Sequence, residues 1–391
     1  MMAQRDNVPM KTDIDVPLPL LGGLSPSRFM SRHWQKKPLL VRQAVVGAEP
    51  PLDRRALFAL AARDDVESRL VRRDGRRWRL RRGPLPRRAM PPLAQRGWTL
   101  LVQGLDLHLE SAHQLLSHFR FVPDARLDDL MLSYASDGGG VGPHIDSYDV
   151  FLLQVAGRRR WRVARPPTRP AWRDDVPLKM LARFQAEQEW LLEAGDMLYL
   201  PPGWAHDGVA VGGDCMTASI GFRAPGRGEL ARALLGLLAD RDLAEAALYR
   251  DTAQPATAEP CAVPAEQHDF AHEALRRALV QPWAIERALG EWLTEPKSQV
   301  WFEPLHDAVP VAGRGLRLDR RTRMVHDARC IYVNGESYRV AGRDAVLLRR
   351  LADVQALASR DVARLSAQAR RGVSEWLAAG WLQAQGDDDG S

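Results

Sequence analysis

Hydrophobic spacing changes twice along this 391-residue chain. Near the start, apolar residues recur at helical intervals in two stretches, Phe29, Met30 and Trp34 behind Ser25-Pro26, and Leu57, Leu60 and Ala61 behind Asp53. A serine or aspartate just ahead of such a run supplies an oxygen for the orphan N–H groups of the first turn, so both read as capped helix starts. A short strand is expected over residues 16–21. From 67 to 222 the period is mostly two. It predicts a hairpin over 67–83 about Asp74-Gly75, strands over 98–107, 130–134, 190–200 and 216–222, and a pair of strands over 148–163 divided by a turn at Ala156-Gly157. One helix, 110–119, interrupts them. Beyond 228 the period becomes 3.6, over 228–249, 266–280 and 283–293, with a linker at 251–264. Leu230, Leu234, Leu235, Leu238 and Leu243 form a stripe that needs a partner, within the chain or on a second copy. Past 300, short strands at 315–318, 330–333 and 337–340, with Asn334-Gly335 as a hairpin turn, alternate with helices at 344–351, 361–365 and 368–378. Small strands with three helices suit a winged-helix-like module, a shape that does not by itself imply nucleic-acid binding.

Composition narrows the class. At 45% hydrophobic and 27% charged residues the chain has material for real cores, and its length calls for two or three domains. No apolar run approaches the roughly eighteen residues of a membrane helix, and the N-terminus carries no secretory signal pattern, so a cytoplasmic protein is expected. Three widely spaced cysteines, Cys215, Cys261 and Cys330, exclude a thiolate zinc cluster. The net charge is +6, and only five of the 55 basic residues are lysine. Ten arginines against one acid, Asp74, fall within residues 69–88. That stripe is either a solvated face or an attraction for a polyanion such as ribosomal RNA.

The chemistry concentrates in residues 138–163, GGGVGPHIDSYDVFLLQVAGRRRWRV. His144 and Asp146 are two apart in a strand-like run, so both side chains leave the same face. His206, after a turn, a short strand and a second turn, is a candidate third ligand. Two imidazoles and one carboxylate leave three positions of an octahedral ion open, the arrangement of non-haem Fe(II) oxygenases. A His-x-Asp pair alone is common, and the following strand adds weight. Alternation puts Arg158, Arg160 and Arg162 outward and Arg159 on the apolar face with Trp161 and Val163. A buried guanidinium needs an anion, either a protein carboxylate or, in a facial-triad oxygenase, the distal carboxylate of 2-oxoglutarate. The Gly138–Gly142 run lacks the Gly-Lys-Ser/Thr ending and leads into a strand, which rules out a phosphate-binding loop. His108, His113 and His118 share no helix face and read as surface or core groups.

These residues resemble the bacterial JmjC-type ribosomal oxygenases, arginine hydroxylases of a large-subunit ribosomal protein. Six blocks carry the likeness in the family's order: 29–38 (FMSRHWQKKP), 67–71 (ESRLV), 126–133 (RLDDLMLS), 138–163, 193–206 and 219–225 (SIGFRAP). The resemblance implies an α+β chain: a double-stranded β-helix (cupin/JmjC jelly roll) over 1–226, a helical dimerisation region over 227–300, and a winged-helix-like domain over 301–391. It implies Fe(II) on His144, Asp146 and His206, with 2-oxoglutarate and O2 as cosubstrates and the 2-oxoglutarate held by Arg159 and Ser133. It also implies a homodimer that hydroxylates the β carbon of an arginine in a large-subunit ribosomal protein; rRNA contact through the 69–88 hairpin is suggested by its charge alone, and no membrane by the hydropathy. Asp149 and Tyr148 are the candidates for gripping that arginine. Thr217 and Ser147 depart from the family pattern, which has an amide residue and a glutamine there. A hydroxylase of a ribosomal-protein histidine, a lysine demethylase, and a non-catalytic basic cupin that binds RNA or protein are the alternatives.

Overall fold

A computed structural model of the chain describes residues 13–239, 248–250, 252, 261, 263–280, 283–305, 311 and 313–385. They divide into two compact units, one built on Met10–Ala224 and the other on Pro225–Lys297 and Trp301–Ser391. Among the described residues no helix is long and apolar enough to cross a membrane.

The first unit is a double-stranded β-helix, a ten-stranded antiparallel sheet. Its strands are β1 (Leu39–Val41), β2 (Ser68–Asp74), β3 (Arg77–Arg82), β4 (Trp98–Val102), β5 (Leu127–Ala135), β6 (His144–Ile145), β7 (Asp149–Ala164), β8 (Gln188–Leu192), β9 (Met197–Leu200) and β10 (Ala205–Phe222). The order is β1-β9-β7-β10-β5-β4-β2-β3, with β6 added to β10 and β8 to β7. Two helices open the unit as their caps predict. Ser25 Oγ accepts from Arg28 N at 3.3 Å ahead of α1 (Pro26–Arg32), and Asp53 Oδ1 accepts from Ala56 N at 2.7 Å ahead of α2 (Arg54–Leu60). Aromatic packing seats α1 on the sheet, with the Phe29 and Tyr199 rings 4.9 Å apart and Phe119 and Phe151 also 4.9 Å apart. Burying each such ring stabilises by roughly 1.5–3 kcal/mol.

Three local expectations are corrected. Residues 16–21 are no strand: Pro19–Leu21 is a short 3-10 turn, because Pro17 and Pro19 have no N–H to give a ladder. The hairpin turns on Gly75-Arg76, with Asp74 paired to Arg77, and of its two central residues only Gly75 takes positive φ (59°). Asp-Gly at the tip would require positive φ at Asp74 as well. No turn divides residues 148–163 either. Strand β7 runs unbroken through Gly157 (φ 63°), with a bulge just before it: the pairing with β10 slips by one residue between Gln154–Thr217 and Ala156–Met216, and Val155 and Ala156 both pack on the main core. The extra residue reverses the alternation. Val150 and Leu152 face the interior before it, and Arg159 and Trp161 after it; without the bulge Arg159 would point to the opposite face.

In the second unit, helices cover Arg227–Ala239, Ala265–Val280 and Ala284–Thr294. Leu238 packs on Ala284 and Ala288. Leu243 and most of the expected linker lie outside the described residues. The C-terminal module has two three-stranded sheets around a core that includes Leu316, Ile331, Leu347, Leu351, Val373 and Trp376. Asn334 and Gly335 both take positive φ, as an Asn-Gly hairpin turn requires. The strands Met324–His326, Ala356–Leu357 and Leu382–Gln385 carry too few residues to show a period.

Candidate metal centre

Pairing of β6 with β10 sets His206 directly opposite His144. Their ring centroids are 4.2 Å apart, and Asp146 Oδ2 lies 3.5 Å from His206 Nε2 and 3.8 Å from His144 Nε2. One ligand atom from each residue falls within 4.8 Å of the others, and this is the cluster of its kind among the described residues. His108, His113 and His118 do not take part. The chain reaches β6 by a close approach. A Cβ on Gly140 would lie 2.5 Å from the Gly208 carbonyl oxygen, so a side chain there would push the loop, and His144 after it, off β10.

Both imidazoles are held alike. Nδ1 of His144 lies 2.9 Å from the Gly142 carbonyl, and Nδ1 of His206 lies 2.9 Å from the Trp204 carbonyl. Since a carbonyl can only accept, Nδ1 carries the proton in each ring and the Nε2 lone pair is left for an ion. Burial pushes the Asp146 carboxyl up, but His206 and His144 outweigh it and hold it at about 2. Burial, then the neighbouring His206, lowers His144, whereas the contact with Asp146 outweighs burial and raises His206. The donor set is therefore an anionic carboxylate with two imidazoles, and it suits a divalent ion.

The three residues line a cavity of about 340 Å³ that also includes Arg159, Ser133 and Thr217. Arg159 is only 5% exposed. Its one side-chain hydrogen bond runs from a terminal nitrogen to Ser133 Oγ at 3.5 Å, and its Nε is buried without a partner. Among the described residues no carboxylate pairs with it. A buried cation in that state calls for an anion from outside the protein. Ser133 in turn donates to the Thr217 carbonyl at 3.3 Å. Thr217, where the family pattern has an amide, donates its hydroxyl to Gln154 Oε1 at 2.9 Å, and Gln154 Nε2 donates to the Ala156 carbonyl at 2.7 Å. Register places Ser133, Thr217 and Gln154 side by side on three strands, so an amide does stand behind the site, one strand further over.

Asp149 is not on the cavity. It is fully buried, accepts from Tyr199 and Gln35 and pairs with Arg126. Tyr148 does line the cavity, 36% exposed, and so do Asp128, Asp129 and Met131. Asp129, Met131 and Ser133 follow one another at a spacing of two on β5, so alternation counted back from Ser133 would have marked the acid.

The JmjC domain family matches residues 114–230 and the ROXA-like winged helix family matches 273–383. The ribosomal protein uL16 3-hydroxylase of Escherichia coli is 33% identical over 317 residues, 79% of this chain and 84% of that protein. A probable ribosomal oxygenase of Haemophilus influenzae is 37% identical over 214 residues, 52% of this chain and 50% of its own. The crystal structure of E. coli YcfD superposes with a TM-score of 0.81 at 30% identity, covering 93% of this chain and 98% of that one. The YcfD complex with cobalt and 2-oxoglutarate gives 0.78, covering 93% and 99%. Sequence likeness spanning most of both chains, the same fold and a triad with room beside it converge: this chain belongs to the JmjC-type ribosomal oxygenases and is an Fe(II)- and 2-oxoglutarate-dependent protein hydroxylase.

Proposed function

We propose that the chain hydroxylates the β carbon of an arginine in a large-subunit ribosomal protein, with His144, Asp146 and His206 as the Fe(II) ligands and Arg159, steadied by Ser133, as the receptor for the distal carboxylate of 2-oxoglutarate. The observation that carries this reading is the solitary buried guanidinium of Arg159 in the cavity of the triad. Bound iron with 2-oxoglutarate and O2 supplies the oxidising power for an unactivated C–H bond, and the protein's part is to orient the substrate and exclude water. Asp128 and Asp129 give the cavity an acidic wall opposite in charge to an arginine side chain, and the Tyr148 ring offers it an aromatic face. The E. coli relative named for uL16 makes that protein the first substrate to test. A uL16 fragment incubated with enzyme, Fe(II) and 2-oxoglutarate should gain the mass of one oxygen atom on an arginine. Oxygen on a histidine, or formaldehyde released from methyl-lysine peptides, would replace this reading with one of its rivals.

Two partner readings accompany it. The helix Ala265–Val280 leaves Leu275 and Leu279, one turn apart on the same side, 58% and 42% exposed, an apolar edge suited to a second copy, so a homodimer through the 227–300 region is expected from sedimentation. Arg73, Arg76, Arg162 and Arg173 line a separate cleft of about 360 Å³ with Trp78 and Phe184. It supports rRNA contact at the 69–88 hairpin in a cytoplasmic protein. Arg76→Glu with Arg79→Glu should flatten the salt dependence of RNA binding.

A further inference from the structure

Two N–H groups of β7 are buried on the triad's cavity without a protein partner, Arg159 Nε and Trp161 Nε1. The cosubstrate reading uses the first and leaves the second unexplained. Trp161 is 5% exposed and stands two residues beyond Arg159 on the same face of the strand. Its ring centroid is 5.9 Å from that of His206 and 5.7 Å from the guanidinium carbon of Arg159. The indole thus lies beside both His206 and the arginine. Space is made for it across the strand pair, where Gly208 faces Trp161 and a Cβ would come within 2.5 Å of ring atom Cζ3. The neighbours Val150, Leu152, Val163 and Leu192 ask only for an apolar ring, and a phenyl ring would satisfy them. What indole adds is one donor and no acceptor. Left unsatisfied and buried it costs about 1–3 kcal/mol.

We propose that Trp161 Nε1 donates a hydrogen bond to the carboxylate that Arg159 holds, making indole and guanidinium a two-part receptor for the distal end of the cosubstrate. This rests on the 2-oxoglutarate reading. A guanidinium packed over the indole ring brings any anion that neutralises it within reach of the indole edge. A donor that cannot accept also selects a carboxylate against a cationic or purely apolar chain end. Trp161 is accordingly a specificity residue for a dicarboxylate.

The test uses the full chain loaded anaerobically with Fe(II), and follows the charge-transfer absorption of the metal chelate with 2-oxoglutarate and with 2-oxopentanoate, which has the same oxo-acid end and no distal carboxylate. Trp161→Phe should weaken 2-oxoglutarate about tenfold, as expected for a lost hydrogen bond to a charged group, and leave 2-oxopentanoate unchanged. Equal weakening of both, or of neither, overturns the proposal and leaves the wild-type binding intact. Failure of the wild-type protein to bind 2-oxoglutarate sinks the underlying reading instead. Should the variant not fold, wild-type protein with Zn(II) and labelled tryptophan answers the question. One indole N–H resonance must move downfield with 2-oxoglutarate and stay in place with 2-oxopentanoate, and no such difference refutes the assignment.

Discussion

Asp146 reaches within 3.5 Å of His206 Nε2 across the pairing of β6 with β10, and this contact turns two distant stretches of sequence into one donor set. Replacing His206 with Ala removes a proposed ligand whose own support is a backbone carbonyl, so the sheet should survive. Fe(II) affinity should fall by at least about 100-fold, since even partners behind a metal ligand are worth 10–100-fold. Equilibrium dialysis with Fe(II) or Co(II), beside circular dichroism to check the fold, measures both. Retained metal affinity would remove His206 from the site.

Arg159 offers a cleaner separation of cosubstrate from metal. Arg159→Gln should leave metal affinity unchanged while raising the KM for 2-oxoglutarate roughly 100-fold, the loss of a charge-assisted pair of hydrogen bonds worth about 3 kcal/mol. Ser133→Ala should cost less, about threefold, because Ser133 meets the guanidinium only at 3.5 Å. Equal effects of the two substitutions would contradict the assignment of the anion to Arg159.

How much of this was legible follows from the period of each element. His144 with Asp146, and Arg159 with Trp161, are pairs at a spacing of two, which strand geometry alone puts on one face. His206 was offered as a candidate by the turns and short strand before it, but fixing it opposite His144 needs the partner strand to be known, which spacing cannot supply. Asp149 was misread because a carboxylate three residues past Asp146 looks available, whereas Tyr199, Gln35 and Arg126 enclose it from other parts of the chain. The stretch at Ala156-Gly157 was read as a turn because a glycine free to take positive φ serves a turn as well as a strand that continues past a bulge, and a single sequence does not tell which partner strand continues beside it.

That glycine gives a third prediction. At φ 63° a side chain is strained, and a Cβ on Gly157 would lie 2.9 Å from the Asp214 carbonyl oxygen and 3.0 Å from Cys215 Cα. Gly157→Ala should therefore destabilise the first unit by about 1–3 kcal/mol. Because Gly157 lies between the bulge at Val155-Ala156 and Arg159, a shift of its backbone moves the arginine, and the KM for 2-oxoglutarate should rise even in the folded fraction. A thermal melt combined with KM measurement checks this, and an unchanged KM would show that the backbone at Gly157 does not govern the arginine.

The last prediction concerns acid stability of the C-terminal module. Asp319, 4% exposed, accepts from the backbone N and guanidinium of Arg321 and from Gln383 on the last strand. Burial would push its carboxyl up, but the bonds from Arg321 outweigh burial and hold it below the ordinary 3.8. A carboxyl whose folded value is depressed releases its proton more readily in the folded than in the unfolded chain. Its stabilisation is therefore complete above about pH 4–5 and drains away as pH falls through 3.8 towards the folded value. Asp319→Asn should destabilise the module by roughly 1–3 kcal/mol at neutral pH. It should also flatten the loss of protection between about pH 4 and pH 3. Amide hydrogen exchange of Leu382–Gln385, the strand that Gln383 ties to Asp319, reports on both. Protection that falls equally in the variant and the wild type over that interval would mean that some other carboxylate governs the acid response.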